Sequence, residues 1–95
     1  MRKRTKPARR QIKKSVALKY DETKPEAAPK VVAKGSGEIA EKIIAKAGES
    51  KIPIYEDKAL VEILSEIEID REIPPELYKA VAEILAWVYK AHKSI

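Results

Sequence analysis

The spacing of apolar residues along the chain predicts short strands that alternate with amphipathic helices. Residues 15–20 place Val16, Leu18 and Tyr20 on one face, with polar or small residues between them. This period of two is typical of a half-buried strand. The β-branched run Lys30–Lys34 predicts a second strand, paired with the first through a long loop that contains two prolines.

A glycine-serine-glycine turn at residues 35–37 interrupts the second strand, and Ser36 is the predicted N-cap of the first helix. The apolar stripe of this helix comprises Ile39, Ile43, Ile44 and Ala47. Gly48 is predicted to end it. The run Ile52–Tyr55 predicts a third strand, so that strand, helix and strand form a right-handed unit with parallel strands.

Two further helices follow. Asp57 is the predicted N-cap of the second, and Pro75 the predicted first residue of the third, where the missing N–H of proline costs no hydrogen bond. The third helix is predicted to bury one side, which carries Leu77, Val81, Ile84, Leu85 and Val88. The chain is therefore predicted to be a small single α/β domain with a mixed sheet surrounded by three helices.

Charge divides the chain into two parts. Residues 1–14 carry eight of the 20 Lys and Arg residues and no acidic residue. Residues 15–95 carry the other twelve together with all 15 Asp and Glu, so their net charge is −3. Without apolar periodicity, residues 1–14 are predicted to be a flexible, disordered basic arm before a domain at 15–95. Such an arm can bind nucleic acid or anionic lipid. It has no aromatic residue for base stacking, which makes nucleic acid the weaker expectation.

Composition excludes several classes of function. The chain has no cysteine, a single histidine (His92) and no nucleophile motif, so we expect no metal, no cofactor and no enzymatic activity. Its longest apolar run is far short of the roughly 20 residues of a membrane span. Tyr78, Trp87 and Tyr89 on the third helix are candidates for a partner surface, with partial burial the alternative for Trp87. A cytoplasmic protein is the resulting expectation.

Three segments together resemble the cytoplasmic C-terminal domain of FlhB, the flagellar type III export switch protein, and of its injectisome homologues. They are Val16–Asp21, Ala28–Gly35 and Ile73–Tyr89, and the resemblance spans residues 15–90. It implies a four-stranded mixed sheet, so that three to four strands are expected here. The fourth could come only from about Arg9–Lys14.

The resemblance also identifies a difference. The family carries Asn-Pro-Thr-His before the first of these strands, and the asparagine cleaves its own chain there. The corresponding positions here hold Arg10, Gln11, Ile12 and Lys13. Arginine cannot cyclise as asparagine does, so we expect no self-cleavage. The chain would then resemble the C-terminal fragment that the family produces by cleavage.

The family binds rod- and hook-type export subunits through a small apolar patch. The matching residues are Ala28, Pro29, Ala82 and Leu85, with core packing the alternative for Leu85. The first hypothesis is a non-enzymatic interaction module, peripheral to the membrane export gate. It would bind cytoplasmic domains of the gate or export subunits, in substrate recognition or specificity switching. The second is a polybasic protein that binds nucleic acid or an anionic membrane surface on the same fold.

Overall fold

The computed structural model describes residues 13–24 and 26–93, with side chains through residue 90. Of the predicted basic arm, only Lys13 and Lys14 are described, so its predicted disorder lies outside the described residues. The same holds for most of the fourth strand expected near Arg9–Lys14. Lys14 is the first residue of the first strand, β1, which runs over Lys14–Lys19.

The predicted hairpin is confirmed. Strand β1 pairs antiparallel with β2, Lys30–Ser36. Ala17 lies opposite Ala33 and Leu18 opposite Val31, so Val32 is an extra residue on β2. Such a bulge bends the strand and redirects its side chains. Val31 is accordingly fully buried, whereas Val32 is exposed.

The predicted third strand is wrong. Ile52–Tyr55 has no regular structure, and its apolar side chains are exposed. Pro53 has no N–H to give to a ladder, which weakens any strand there. The described part of the chain therefore contains a two-stranded antiparallel sheet, without the parallel pair of a mixed three- to four-stranded sheet.

The edge of β2 opposite β1 is occupied by the segment that precedes the last helix. The N–H of Val31 donates to the carbonyl of Arg71 (3.0 Å), and the Val31 carbonyl accepts from Asp70 N–H (2.6 Å). The N–H of Ile73 donates to the carbonyl of Pro29 at 2.9 Å. These bonds satisfy backbone groups that the predicted third strand would have paired.

Helix α1, Glu38–Glu49, begins and ends differently from the prediction. Ser36, the predicted N-cap, is still part of β2. The N-cap is instead Gly37, at φ 63°, which has no side chain to accept a hydrogen bond. Gly48 lies inside the helix, and the left-handed residue at its end is Lys51, at φ 59°. Lys51 N–H donates to Gly48 O and Ile52 N–H to Ala47 O, the pattern of a Schellman motif.

Helix α1 covers one face of the hairpin, where the buried hydroxyl of Ser15 donates to the carbonyl of Ala40 (3.2 Å). Helix α2, Lys58–Leu64, packs on the opposite face. Its predicted N-cap, Asp57, is confirmed, because the Leu60 N–H donates a hydrogen bond to the Asp57 carboxylate at 3.0 Å.

The third helix was predicted to begin at Pro75, but a 3₁₀ turn, Pro75–Leu77, occupies that position. Helix α3 itself runs over Tyr78–Lys93 and shares the core with α2. The buried residues of this core are Leu60, Leu64, Ile73 and Val81. The half-buried residues packed against them include Val16, Leu18, Leu77, Ile84 and Leu85.

The contact between β2 and α1 depends on the absence of a side chain at Gly35. A Cβ atom there would collide with Cγ2 of Ile39 and lie 2.9 Å from its Cβ. We expect Gly35→Ala to lower the free energy of unfolding by about 1–3 kcal/mol, as overpacking does. Gly48→Ala is the matched control, because its Cβ meets nothing within 4 Å. Inside a helix that change should raise stability by about 0.5–1 kcal/mol. Urea denaturation of both variants checks the opposite signs; equal midpoints would contradict this packing.

Candidate functional site

The loop that follows β1 is held by local hydrogen bonds. Lys24 N–H donates to the Asp21 carbonyl at 3.0 Å, and Ala27 N–H donates to the Lys24 carbonyl at 2.9 Å. The Asp21 carboxylate accepts from the hydroxyl of Thr23 at 2.6 Å and from its N–H at 2.9 Å. These bonds, the hydroxyl first, lower the pKa of Asp21 below its ordinary value. Two successive turns thus give the loop a defined path.

The end of this loop is attached to the core. Pro29 is buried, and its carbonyl accepts the hydrogen bond from Ile73, which is 2 % exposed. Ala28 packs against the core cluster that contains Ile73. The positions of Ala28 and Pro29 are therefore set by the interior of the domain as well as by the loop.

One flank of α3 faces this loop. Val81 is buried, and the next residue, Ala82, is exposed. The flank repeats at intervals of four, three and four residues, the spacing of neighbours on one side of a helix. Its members are Tyr78, Ala82, Leu85 and Tyr89. Because Ala82 is short, space remains between the helix and the loop.

That space is a groove of about 350 Å³ that contains all four predicted patch residues, Ala28, Pro29, Ala82 and Leu85. Its other walls are formed by Tyr20, Glu26, Ala27, Ile73, Tyr78 and Val81. Leu85 is half-buried, packs against the core and also lines the groove, so both roles considered for it coexist. Binding by these four residues stays a prediction.

The groove continues along α3. A second part, of about 390 Å³, is lined by Tyr20, Glu22, Leu85, Ala86, Val88 and Tyr89. Tyr20 and Leu85 border both parts, and we call the two together the α3 groove. The role of Tyr20 as a shared wall was missed from the sequence. Its place at the end of β1, directly before the loop, is the signal that could have indicated it.

The aromatic residues of α3 separate into two sites. Tyr78 and Tyr89 line the α3 groove. Trp87 lies on the other flank, 51 % exposed, and its ring packs edge-to-face against Tyr55 with centroids 5.3 Å apart. Trp87 is therefore partly buried against the segment between α1 and α2, and it belongs to no wall of the groove.

Of the four positions that correspond to the family's cleavage motif, only Lys13, directly before β1, is described. Arg10, Gln11 and Ile12 are outside the described residues. Lys13 is exposed, and its carbonyl accepts from Gly37 N–H at 2.8 Å. The neighbouring Lys14 forms an ion pair with Glu62, Nζ to Oε1 3.0 Å. The start of β1 is thus joined to the beginning of α1 and to α2.

The walls of the α3 groove are suited to contact with apolar groups. They are mainly aliphatic and aromatic, with the carboxylates of Glu22 and Glu26 at the rim. Across the described residues, no three His, Cys, Asp or Glu side chains are grouped to hold a metal ion. None of the described helices is long and apolar enough to cross a membrane.

A two-stranded antiparallel sheet between helices, with an apolar groove along the last helix, defines a small α/β domain of a known type. The chain belongs to the FlhB HrpN YscU SpaS family, whose sequence profile matches residues 12–88. The resemblance to the FlhB C-terminal domain is thereby confirmed.

Similar proteins include relatives of very different length. YlqH of Bacillus subtilis is 45 % identical over 84 residues, which cover 88 % of this chain and 89 % of YlqH. The flagellar biosynthetic protein FlhB of Salmonella typhimurium is 51 % identical over 77 residues, 80 % of this chain. That alignment covers only 20 % of FlhB, so this chain spans about a fifth of it.

Two solved structures share the fold. The cytoplasmic domain of FlhB from Shewanella putrefaciens superposes with a TM-score of 0.76 at 37 % identity, over 88 % of this chain and 69 % of that one. The PscU C-terminal domain gives a TM-score of 0.71 at 27 % identity, over 79 % and 95 %. Both similarities support the assignment to the C-terminal domain of the family.

Proposed function

We propose that this chain is a non-enzymatic interaction module of a flagellar-type, type III protein export apparatus. It binds rod- or hook-type export subunits, or cytoplasmic domains of the export gate, through the α3 groove. The observation that carries the proposal is the convergence of Ala28, Pro29, Ala82 and Leu85 on one open apolar surface.

The construction of the groove suits a peptide ligand. One wall is a regular helix, and the other is a loop fixed by turns and by the Pro29–Ile73 hydrogen bond. Walls that are already ordered lose little conformational entropy when a ligand binds. Apolar side chains placed between them gain about 25 cal/mol for each Å² removed from water.

The role that we propose is that of the cleaved FlhB cytoplasmic domain. With Arg10 and Gln11 at the positions of asparagine and proline, the chain has no means of breaking itself there. It would act in substrate recognition or specificity switching without self-processing, beside the membrane export gate. Its basic arm could add contacts with anionic lipid.

Capture of purified partners tests this function. The immobilised full chain should retain gate cytoplasmic domains or hook-type subunits, and retention should persist in moderate salt because the contact is mainly apolar. RNA and anionic vesicles, offered in parallel, should bind weakly. If no export component is retained, while RNA or vesicles bind tightly and are released by salt, the proposal is wrong and the polybasic alternative is correct.

A further inference from the structure

The rim of the α3 groove has one sign of charge. Apart from tyrosines, the only ionisable side chains lining its two parts in the described structure are Glu26 in the first and Glu22 in the second. Lys24 belongs to the same loop but lines neither part. Among the described residues, the walls of the groove therefore include two carboxylate side chains and no Lys or Arg.

The loop turns keep these carboxylates near the groove. Glu22 lies within the turn closed by Lys24 N–H and the Asp21 carbonyl, and Glu26 within the turn closed by Ala27 N–H and the Lys24 carbonyl. Both glutamates are exposed, so they remain hydrated and available to a partner. A positively charged group next to the groove would meet one carboxylate in each part.

The dimensions of the groove limit the ligand. Tyr78 and Tyr89, at its ends on α3, are eleven residues apart, about 16 Å along a helix. An extended peptide covers that distance with about five residues. The large apolar side chains of the basic arm, Met1 and Ile12, are also eleven residues apart, about 36 Å in an extended chain. An extended arm therefore cannot place both of these side chains in the two parts of the α3 groove at the same time.

We propose that the α3 groove selects peptide segments whose closely spaced apolar anchors are flanked by Lys or Arg. The inference rests on the proposed function for the nature of the ligand, and it adds a charge requirement. Exposed ion pairs contribute little individually, about two- to fivefold in affinity each. Their effect is therefore on the choice between peptides with equal anchors.

Three 12-residue peptides test this selection. All contain two leucines within five residues, and their flanks are lysine, serine or glutamate. Titrated into the ¹⁵N-labelled full chain at low salt, each should shift amides around Ala82 and Tyr20. The lysine-flanked peptide should bind at least about fourfold tighter than the serine-flanked one, and the glutamate-flanked one most weakly. Added salt should reduce these differences. A peptide with the sequence of residues 1–14 should bind less tightly than the lysine-flanked probe.

Charge-neutral variants locate the effect. In the double variant Glu22→Gln, Glu26→Gln, the three peptides should bind within about twofold of one another. The matched control is Glu41→Gln, Glu49→Gln on α1, across the sheet, which should keep the full preference. Equal affinities in the wild type, an unchanged preference in the rim variant, or no groove shifts with any peptide would overturn this inference. If the immobilised chain still captures an export subunit when one of these results is found, the proposed function stands and only the charge requirement is wrong. If the chain captures no export component, the proposed function itself is wrong.

Discussion

Replacing Ile73 with alanine is expected to lower the free energy of unfolding by about 2–5 kcal/mol. Ile73 is 2 % exposed and lies in the core with Leu60, Leu64 and Val81. The substitution removes buried methyl groups and leaves a cavity that neighbouring side chains fill only in part. In a domain of this size such a loss is a large fraction of the total stability.

Urea denaturation followed by circular dichroism measures this effect. Ile69→Ala is the matched control, since Ile69 lies in the same connecting segment but is 49 % exposed. We expect that control to change stability by less than about 0.5 kcal/mol. If the two variants unfold at the same urea concentration, the assignment of Ile73 to the core is wrong.

The substitution Ala82→Asp is expected to weaken binding of a hook-type subunit at least about tenfold, or 1.4 kcal/mol. Ala82 lines the groove on α3, and among the described residues no Lys or Arg lines either part of it to pair with a carboxylate there. An apolar anchor placed over aspartate would strip it of water without a hydrogen bond in return. The change should leave folding intact, because Ala82 is exposed.

Ala80→Asp is the control for that experiment. Ala80 is exposed on the same helix and lines neither part of the groove, so the loss of helix propensity is matched. Isothermal titration calorimetry with both variants should show wild-type affinity for Ala80→Asp alone. Equal weakening by both, or by neither, would contradict a binding site at Ala82.

The elements with clear apolar periodicity could be predicted from the sequence. The alternation around Val16 and Leu18 identified β1, and the helical spacing around Val81 identified the buried side of α3. Local capping rules also located the start of α2 at Asp57. The patch residues came from the family resemblance, because nothing in their own spacing brings a loop at Ala28 next to a helix at Ala82.

The predictions that failed have physical causes, one in contacts between distant segments and one in the local hydrogen bonds that end α1. The apolar run Ile52–Tyr55 has strand-like composition, but the free edge of β2 is paired with residues 70–73 instead. Tyr55 packs against Trp87, a contact between segments more than thirty residues apart. At the end of α1, glycine propensity favoured Gly48, whereas the Schellman hydrogen bonds place Lys51 in the left-handed conformation.

The central claim, that partners bind in the α3 groove, is tested most directly by mapping a bound hook-type subunit onto this chain by NMR. The unlabelled subunit is added to the ¹⁵N-labelled protein, and amide shifts are assigned. We predict that the largest shifts cluster at Tyr20, Ala28, Ala82 and Leu85, and that α1 stays unchanged. Shifts confined to α1 or to the Tyr55–Trp87 contact, with none in the groove, would contradict this account.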